Sequence, residues 1–312
     1  MTLIISVQTK ESIWLVADRR LSAPGRLPIN DAIKATIVEV TDGIALIGYA
    51  GLGATAKGSQ PSEWVSNVLR GRHHPLEEML QVVANAMQRE FIPHMDGVRD
   101  TRLRQHSFII PSFLNGNHRI YTIDMAHING GYKFRYTRHI MEEALPLQIT
   151  VPVALSGSGG STLSRLKDWK RTLLRLVKAY NKGKINEQGM AKNLANLAYR
   201  CYLLTKDGTV GPDCLVVWRN NTKFLNKGGG GHAFFSSGNR CSDTPSIPYI
   251  DRGMDLKAVL GILLEKTKDD MFNALDAFER GEEIIERDKD EFYKEMNDDL
   301  SKLPSKPNEN LR

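Results

Sequence analysis

Cysteine is scarce in this chain, with three residues among 312. Cys201, Cys214 and Cys241 are widely spaced and lack the paired spacing of zinc ligands or a disulfide framework, which predicts reduced thiols. Long apolar runs are missing too, because no segment approaches the ~20 residues that a transmembrane helix needs. The N-terminus also lacks the basic segment and apolar core of a signal peptide. We therefore expect a cytoplasmic protein with no membrane partner.

Several common site signatures are missing as well. The eight histidines show no i,i+4 pairing with carboxylates suited to a metal, so we predict neither a metal nor a cofactor. The glycine-rich segment 157–162 lacks the lysine of a P-loop and the third glycine of a dinucleotide fingerprint. A serine triad is also unsupported, since no Gly-x-Ser-x-Gly elbow follows a strand with a distant His and Asp in order.

Charge is unevenly spread along the chain, which has a net charge of +6. The segment 165–184 is strongly basic, whereas 251–300 is strongly acidic. The apolar residues of the basic segment recur at helical spacing, so its cations are predicted to lie on the exposed face of an amphipathic helix. Nucleic acid is therefore an unlikely partner. The two segments are complementary surfaces that could meet within one chain or between subunits.

The first informative residue is Thr2, which follows the initiator Met1. Threonine is small enough that removal of Met1 is expected. The mature residue then carries a hydroxyl and a free α-amine, whose pKa near ~7.7 suits a general base in the cell. A threonine hydroxyl is a poor nucleophile without such help.

Two apolar, β-branched runs follow at 2–8 and 12–17, and they predict a β-hairpin. The hairpin returns Asp18 to the side of Thr2. Lys34 precedes the next apolar run and can reach the same corner. An ammonium there lowers the pKa of the threonine hydroxyl, and the Asp18 carboxylate fixes the lysine.

Thr2, Asp18, Arg20 and Lys34 resemble, in type and spacing, the catalytic residues of proteasome β-type subunits, members of the N-terminal nucleophile (Ntn) hydrolases. The resemblance implies further site residues along about 2–220. They are Gly51 as an oxyanion-hole N–H donor, Ser158 in a Gly-Ser-Gly segment as an auxiliary serine, and Asp207 in the last active-site loop. Val210 stands where the family has a serine, and Thr209 is a candidate replacement.

Periodicity predicts the element order ββββ, αα, ββββ, αα, β, which matches an α+β fold with a four-layer αββα sandwich. Locally, Ser62 is the predicted N-cap of a helix, Asn115-Gly116 a hairpin turn, and 157–160 the start of the basic helix. We assign 2–248 to an Ntn-hydrolase domain. Residues 249–312 form a charged helical extension, with Asp255 as an N-cap and a polar tail predicted to be disordered.

Local chemistry and the resemblance together predict a threonine hydrolase that cleaves peptide bonds through an acyl-enzyme on Thr2. The resemblance implies a peptide or protein substrate and a homo-oligomeric ring, and leaves any unfoldase partner open. One alternative is an amidohydrolase acting on a small non-peptide amide. Another is a catalytically silent, ring-forming subunit, for which Val210 is the main argument.

Overall fold

A computed structural model describes residues 2–21, 28–51, 60–95, 106–128, 131–139, 153–205, 208–221, 229–242, 246–280 and 288–302. Within them the chain is a mixed α+β fold with two β-sheets. The helices are α1 Pro61–Leu69, α2 Leu76–Met95, α3 Gly157–Ser164, α4 Trp169–Asn181, α5 Glu187–Leu204, α6 Leu256–Glu279 and α7 Lys289–Lys302. The strands are β1 Ile4–Gln8, β2 Ser12–Asp18, β3 Ala35–Val40, β4 Gly43–Gly51, β5 His106–Leu114, β6 Asn117–Ile128, β7 Gly131–His139, β8 Val153–Ser156, β9 Asp213–Asn220, β10 Gly230–Ser236, β11 Asn239–Arg240, β12 Tyr249–Asp251 and β13 Met254–Asp255.

The first sheet has the strand order β11-β10-β9-β2-β1-β8. The predicted hairpin is present, and its register pairs Ile4 with Ala17. On its other side β1 pairs antiparallel with β8, which sets Ile4 opposite Ser156. The start of β1 therefore lies between the end of β2 and the end of β8, although the last of these is about 150 residues away in the chain.

The second sheet has the order β13-β12-β3-β4-β5-β6-β7. β12 pairs parallel with β3, and the other neighbours pair antiparallel. The predicted turn between β5 and β6 is present, with Asn115 and Gly116 both at positive φ, as a tight two-residue hairpin turn requires. Lys34 immediately precedes β3, so the start of this strand sets the backbone of the lysine.

Three apolar clusters form the core. One joins the two sheets and includes Ile4 and Leu15 from the first and Ile37 and Leu46 from the second. A second cluster joins the first sheet to α3, α4 and α5, and a third joins the second sheet to α1 and α2. β1 and β2 are thus buried on both faces, which explains why they are continuous apolar runs.

Several local expectations need correction. Ser62 is not the N-cap of α1. Pro61 occupies the first helical position, and Gln60 is the N-cap, in a capping box with Glu63. The glycine segment opens α3, which ends after eight residues, so the basic segment is a separate helix, α4. Glycine and serine have weak helix propensity, consistent with this break.

Other expectations agree with the fold or lie outside what is described. Asp255 caps α6, since its Oδ1 accepts a hydrogen bond from the N–H of Ala258 at 3.2 Å. The basic helix α4 buries Leu173 and Val177, as its periodicity predicts. The polar tail beyond Lys302 lies outside the described residues. Among the helices of the described residues, none combines the length and apolar character needed to cross a bilayer.

Candidate active site

The β1–β2 hairpin brings Thr2 beside Asp18. The N–H of Asp18 donates to the carbonyl of Leu3 at 3.1 Å, and the N–H of Leu3 donates to Asp18 Oδ1 at 2.8 Å. Thr2 and Asp18 are both buried in the chain. The strand pairing that builds the first sheet therefore also fixes the backbone on which Thr2 lies.

Lys34 is the centre of the site. It is 1% exposed, and its Nζ donates to Thr2 Oγ1 at 2.5 Å and to Asp18 Oδ1 at 2.9 Å. The same nitrogen also donates to the backbone carbonyl of Arg20. An ammonium has three N–H donors and no acceptor, so these partners match its full donor set. The lysine is held in one place against the Thr2 hydroxyl.

Burial lowers the pKa of Lys34 below the ordinary lysine value of 10.5. The neighbouring Asp18 carboxylate opposes this effect, and the Arg20 charge adds to it. Desolvation disfavours the charged form, so the buried lysine gives up a proton more easily than one in water. A lysine with a lowered pKa, bonded to a hydroxyl, is suited to exchange a proton with that hydroxyl.

The Asp18 carboxylate is fixed by the backbone of three segments. In addition to the N–H of Leu3 at Oδ1, its Oδ2 accepts from the N–H of Arg20 at 3.2 Å and from the N–H of Gly211 at 3.1 Å. These backbone N–H groups hold the Asp18 side chain in one position, against which Lys34 is placed.

The Gly157–Gly159 segment covers the backbone of Thr2. The N–H of Gly159 donates to the Thr2 carbonyl at 3.2 Å. Gly157 has a φ of +80°, and a Cβ at this position would come within 1.8 Å of the same oxygen. Only glycine fits there, for reasons of both conformation and space.

The side chain of Val210 lies in a different environment from those of Ser158 and Thr209. Ser158 Oγ and Thr209 Oγ1 lie 2.6 Å apart and share a hydrogen bond. Val210 is 1% exposed and belongs to the core cluster between the first sheet and its helices, where it packs close to Gly159. Position 210 therefore faces the core, and the neighbouring hydroxyl at 209 meets Ser158. Asp207 lies outside the described residues.

Two more predicted residues flank this centre. Arg20 donates from Nη1 to the Gly208 carbonyl and from Nε to Asn30 Oδ1, each at 2.8 Å, and so links two loops beside Asp18. Gly51 is the last residue of β4, where it pairs with His106. It lies two residues after Tyr49, whose N–H donates to the Lys34 carbonyl at 2.9 Å.

An open cleft of about 900 Å³ adjoins the glycine segment. Asp124 and Arg165 are its charged side chains, and most of the rest of the lining is small and hydroxylated: Ser107, Ser156, Ser158, Ser161, Thr162 and Ser164. Its volume lies near the upper end of the usual range for small-ligand pockets. Sequence reasoning missed this cleft because its walls come from two distant segments. It also missed the contact of Gly211 with Asp18, although Gly211 directly follows Thr209 and Val210 in the chain.

Within the described part of the chain, no three His, Cys, Asp or Glu side chains come close enough together to hold a metal ion. Cys201 is buried in the helix-covered core, and its thiol donates to the Gly159 carbonyl at 3.1 Å. Burial raises the pKa of this thiol, which therefore stays protonated.

No family model and no curated protein matches this chain. Among solved structures it is similar to an Anbu (Gly-1) mutant from Hyphomicrobium sp. strain MC1, at 14% identity, over 77% of this chain and 90% of that one, with a TM-score of 0.47. It is similar to Anbu, described as an ancestral beta-subunit, from Yersinia bercovieri, at 11% identity, 70% and 82% coverage, and a TM-score of 0.42. The helical assembly of the Anbu complex from Pseudomonas aeruginosa gives 13% identity, 70% and 81% coverage, and a TM-score of 0.42. At such identities and TM-scores, these likenesses carry no argument about the activity of this chain.

Proposed function

We propose that this chain is a threonine-type Ntn hydrolase, similar to proteasome β subunits, that cleaves peptide bonds with Thr2 as its nucleophile. The observation that carries the proposal is the buried hydrogen bond from Lys34 Nζ to Thr2 Oγ1, with Asp18 holding the lysine. Burying a lysine costs free energy. Its position between a carboxylate and a hydroxyl is explained by a role in activating that hydroxyl.

Removal of Met1 would expose the α-amine of Thr2. Thr2 Oγ1 then attacks the substrate carbonyl, and its proton passes to the amine, directly or through a water, while Lys34 lowers the pKa of the hydroxyl. The N–H of Gly51 is the proposed donor to the tetrahedral oxyanion, a contact typically worth ~3 kcal/mol. The proton moves to the departing amine of the substrate, which leaves an ester on Thr2. Water hydrolyses that ester and restores the hydroxyl.

The remaining site residues have positioning roles in this proposal. Asp18 orients Lys34, and Arg20 braces the loop that carries Asp18. Ser158, bonded to Thr209, orients the α-amine of Thr2 together with Asp207. Thr209 thereby supplies the hydroxyl that Val210 lacks, which argues against the silent-subunit alternative.

The packing supports a four-layer αββα arrangement of the Ntn type, because the three core clusters lie between the sheets and between each sheet and its helices. The proposed Ntn-hydrolase domain is 2–248, and the short strands β12 and β13 that follow it pair with the edge of the second sheet. The helical extension then begins with α6. Assembly into a homo-oligomer is part of the proposal.

The test combines intact mass with turnover. The purified protein should have lost Met1 and should hydrolyse fluorogenic peptides. Thr2→Ala should abolish turnover, and Thr2→Ser should retain part of it. Thr9→Ala is the matched control, because Thr9 is also a buried threonine of the hairpin but lies at its opposite end.

Retention of Met1 in active protein, or full peptide turnover by Thr2→Ala, would rule out the nucleophile. A mature protein that cleaves small N-acyl amides but no peptide would move the assignment to the small-amide alternative. A mature protein inactive on both substrate classes would favour the silent subunit.

A further inference from the structure

The helix α6 carries a row of exposed, large apolar side chains. Leu260 is 50% exposed, Leu264 59%, Met271 63% and Leu275 53%. At 100° per residue the four lie within a 60° sector of the helix surface, which we call the α6 stripe. A continuous exposed apolar stripe on a globular protein marks a binding surface.

The part of the chain that the structure describes leaves this side of α6 exposed. α7 contacts α6 through Lys266, whose Nζ lies 3.0 Å from Glu295 and 2.9 Å from Asp299. Helical geometry puts Lys266 on the far side of α6 from the α6 stripe. The small C-terminal helix pair is therefore held together by one face of α6, while the apolar face points outward.

The α6 stripe is symmetric along the helix. Leu260 and Leu275 are equally far from the midpoint between Thr267 and Lys268, and so are Leu264 and Met271. We propose that the α6 stripe is a homodimer interface in which two copies of α6 pack antiparallel about a two-fold axis at this midpoint. Leu260 of each copy then packs against Leu275 of the other, and Leu264 against Met271, as an isologous contact requires.

The charges at the two ends of α6 support a second copy as the occupant. The first turn contains Lys257, which also lies 3.4 Å from Glu63 Oε1 of its own chain, and the last turn contains Asp276 and Glu279. This order is opposite to the one that a helix dipole favours. In an antiparallel pair, the acidic C-terminal end of one α6 lies beside the Lys257 end of the other. The two helix dipoles then point in opposite directions, which is favourable. A parallel partner would instead place like charges together.

Two further residues fit the same arrangement. A Cβ built at Gly261 meets no atom of the described residues within 4 Å, although glycine inside a helix is destabilising relative to alanine. Gly261 lies beside the α6 stripe, where a residue without a side chain leaves room for a partner helix. Thr267, which together with Lys268 lies nearest the axis, has its hydroxyl bonded to the Leu263 carbonyl of its own helix at 2.9 Å.

This interface does not depend on the proposed hydrolase activity, and its first test is the mass of the full-length protein by light scattering over a range of concentrations. Leu264→Asp should lower the mass of the assembly by removing one contact per chain. Leu203→Asp is the matched control, because Leu203 on α5 is 62% exposed and lies outside the α6 stripe. Circular dichroism checks that both variants are folded. A wild-type monomer at every concentration, or an equal change in both variants, would overturn the interface.

The second test measures the orientation of the helices with single cysteines, in a Cys241→Ser background that leaves only the buried Cys201 and Cys214. Under mild oxidation Thr267→Cys should form a covalent dimer, because residue 267 lies beside the axis. Leu260→Cys alone should not, since its two copies would be about 22 Å apart. Leu260→Cys mixed with Leu275→Cys should cross-link. Efficient self-linking of Leu260→Cys would instead indicate parallel helices and contradict the proposal.

Discussion

Gly157 lies directly over the carbonyl oxygen of Thr2, so that even one methyl group at position 157 would overlap that oxygen. The neighbouring N–H of Gly159 donates to the same oxygen. The backbone of the proposed nucleophile is thus set by a segment that the β1–β8 pairing brings beside the start of β1. The geometry of Thr2 consequently depends on a contact between two distant parts of the chain.

The first prediction follows from this contact. Gly157→Ala should abolish peptide turnover and destabilise the fold, because the new Cβ pushes the Thr2 carbonyl away and adds strain at positive φ. Gly183→Ala is the control: Gly183 has a similar φ of +68°, but a Cβ there meets nothing within 4 Å. This control should lose about 1 kcal/mol from backbone strain alone and keep its activity. Urea unfolding measures the stability of the two variants, and a peptide assay measures their activity. Equal losses in Gly157→Ala and Gly183→Ala would contradict the steric argument.

The second prediction concerns Lys34 and Thr2 as a unit. Lys34→Ala should lose about as much kcat as Thr2→Ala, and the double variant should be little worse than either, because groups that act together give non-additive losses. Lys184→Ala, at an exposed lysine, is the control and should be fully active. If the two losses in kcat multiply in the double variant, Lys34 and Thr2 act independently.

The third prediction concerns the Asp18 carboxylate. Asp18→Asn should cost about 3 kcal/mol of unfolding free energy, because it removes the anion paired with buried Lys34 and turns an amide donor toward backbone N–H groups. Asp168→Asn breaks an exposed pair with Arg171 and should cost below about 0.5 kcal/mol. Chemical denaturation distinguishes the two. A loss at Asp18 as small as that at Asp168 would mean that the buried pair does not stabilise the site.

The fourth prediction is a pH dependence with a definite sign. Burial holds the pKa of Lys34 below 10.5, so between the folded-state pKa and 10.5 the unfolded chain binds a proton that the folded chain does not. The free energy of unfolding then rises with pH across that window, because the unfolded state progressively loses a proton that the folded state does not bind. The unfolding free energy of the wild type minus that of Lys34→Met should increase as the pH rises towards 10.5. A decrease would show that Asp18 outweighs burial.

Much of this arrangement follows from local sequence patterns. The β1–β2 hairpin is predicted by two apolar runs with a polar turn, and the hairpin alone brings Asp18 next to Thr2. The helical character of α2 and α4 follows from apolar periodicity. These features depend on residues close in the chain, whose geometry is nearly independent of the rest of the fold.

The features that local sequence patterns do not predict depend on contacts between distant segments. The contact of Gly157 with Thr2 needs β8 to pair with β1, and the bond from Gly211 to Asp18 needs β9 to pair with β2. The exposed side of α6 could not be predicted either. Its apolar periodicity indicates one buried face, but the pattern does not say whether the burial occurs within the chain or against a second copy.

The last prediction concerns the hydroxyl pair of Ser158 and Thr209. Thr209→Val keeps the shape of the side chain but removes the partner of the Ser158 hydroxyl, so kcat should fall about 10-fold or more while the fold remains stable. Thr209→Ser keeps a hydroxyl and should stay close to wild type. Val210→Ser should not raise activity, because position 210 faces the apolar core. It should instead cost about 2 kcal/mol of stability by burying an unpaired hydroxyl. Higher activity in Val210→Ser, or unchanged kcat in Thr209→Val, would mean that the supporting hydroxyl belongs at 210 and that Thr209 does not replace it.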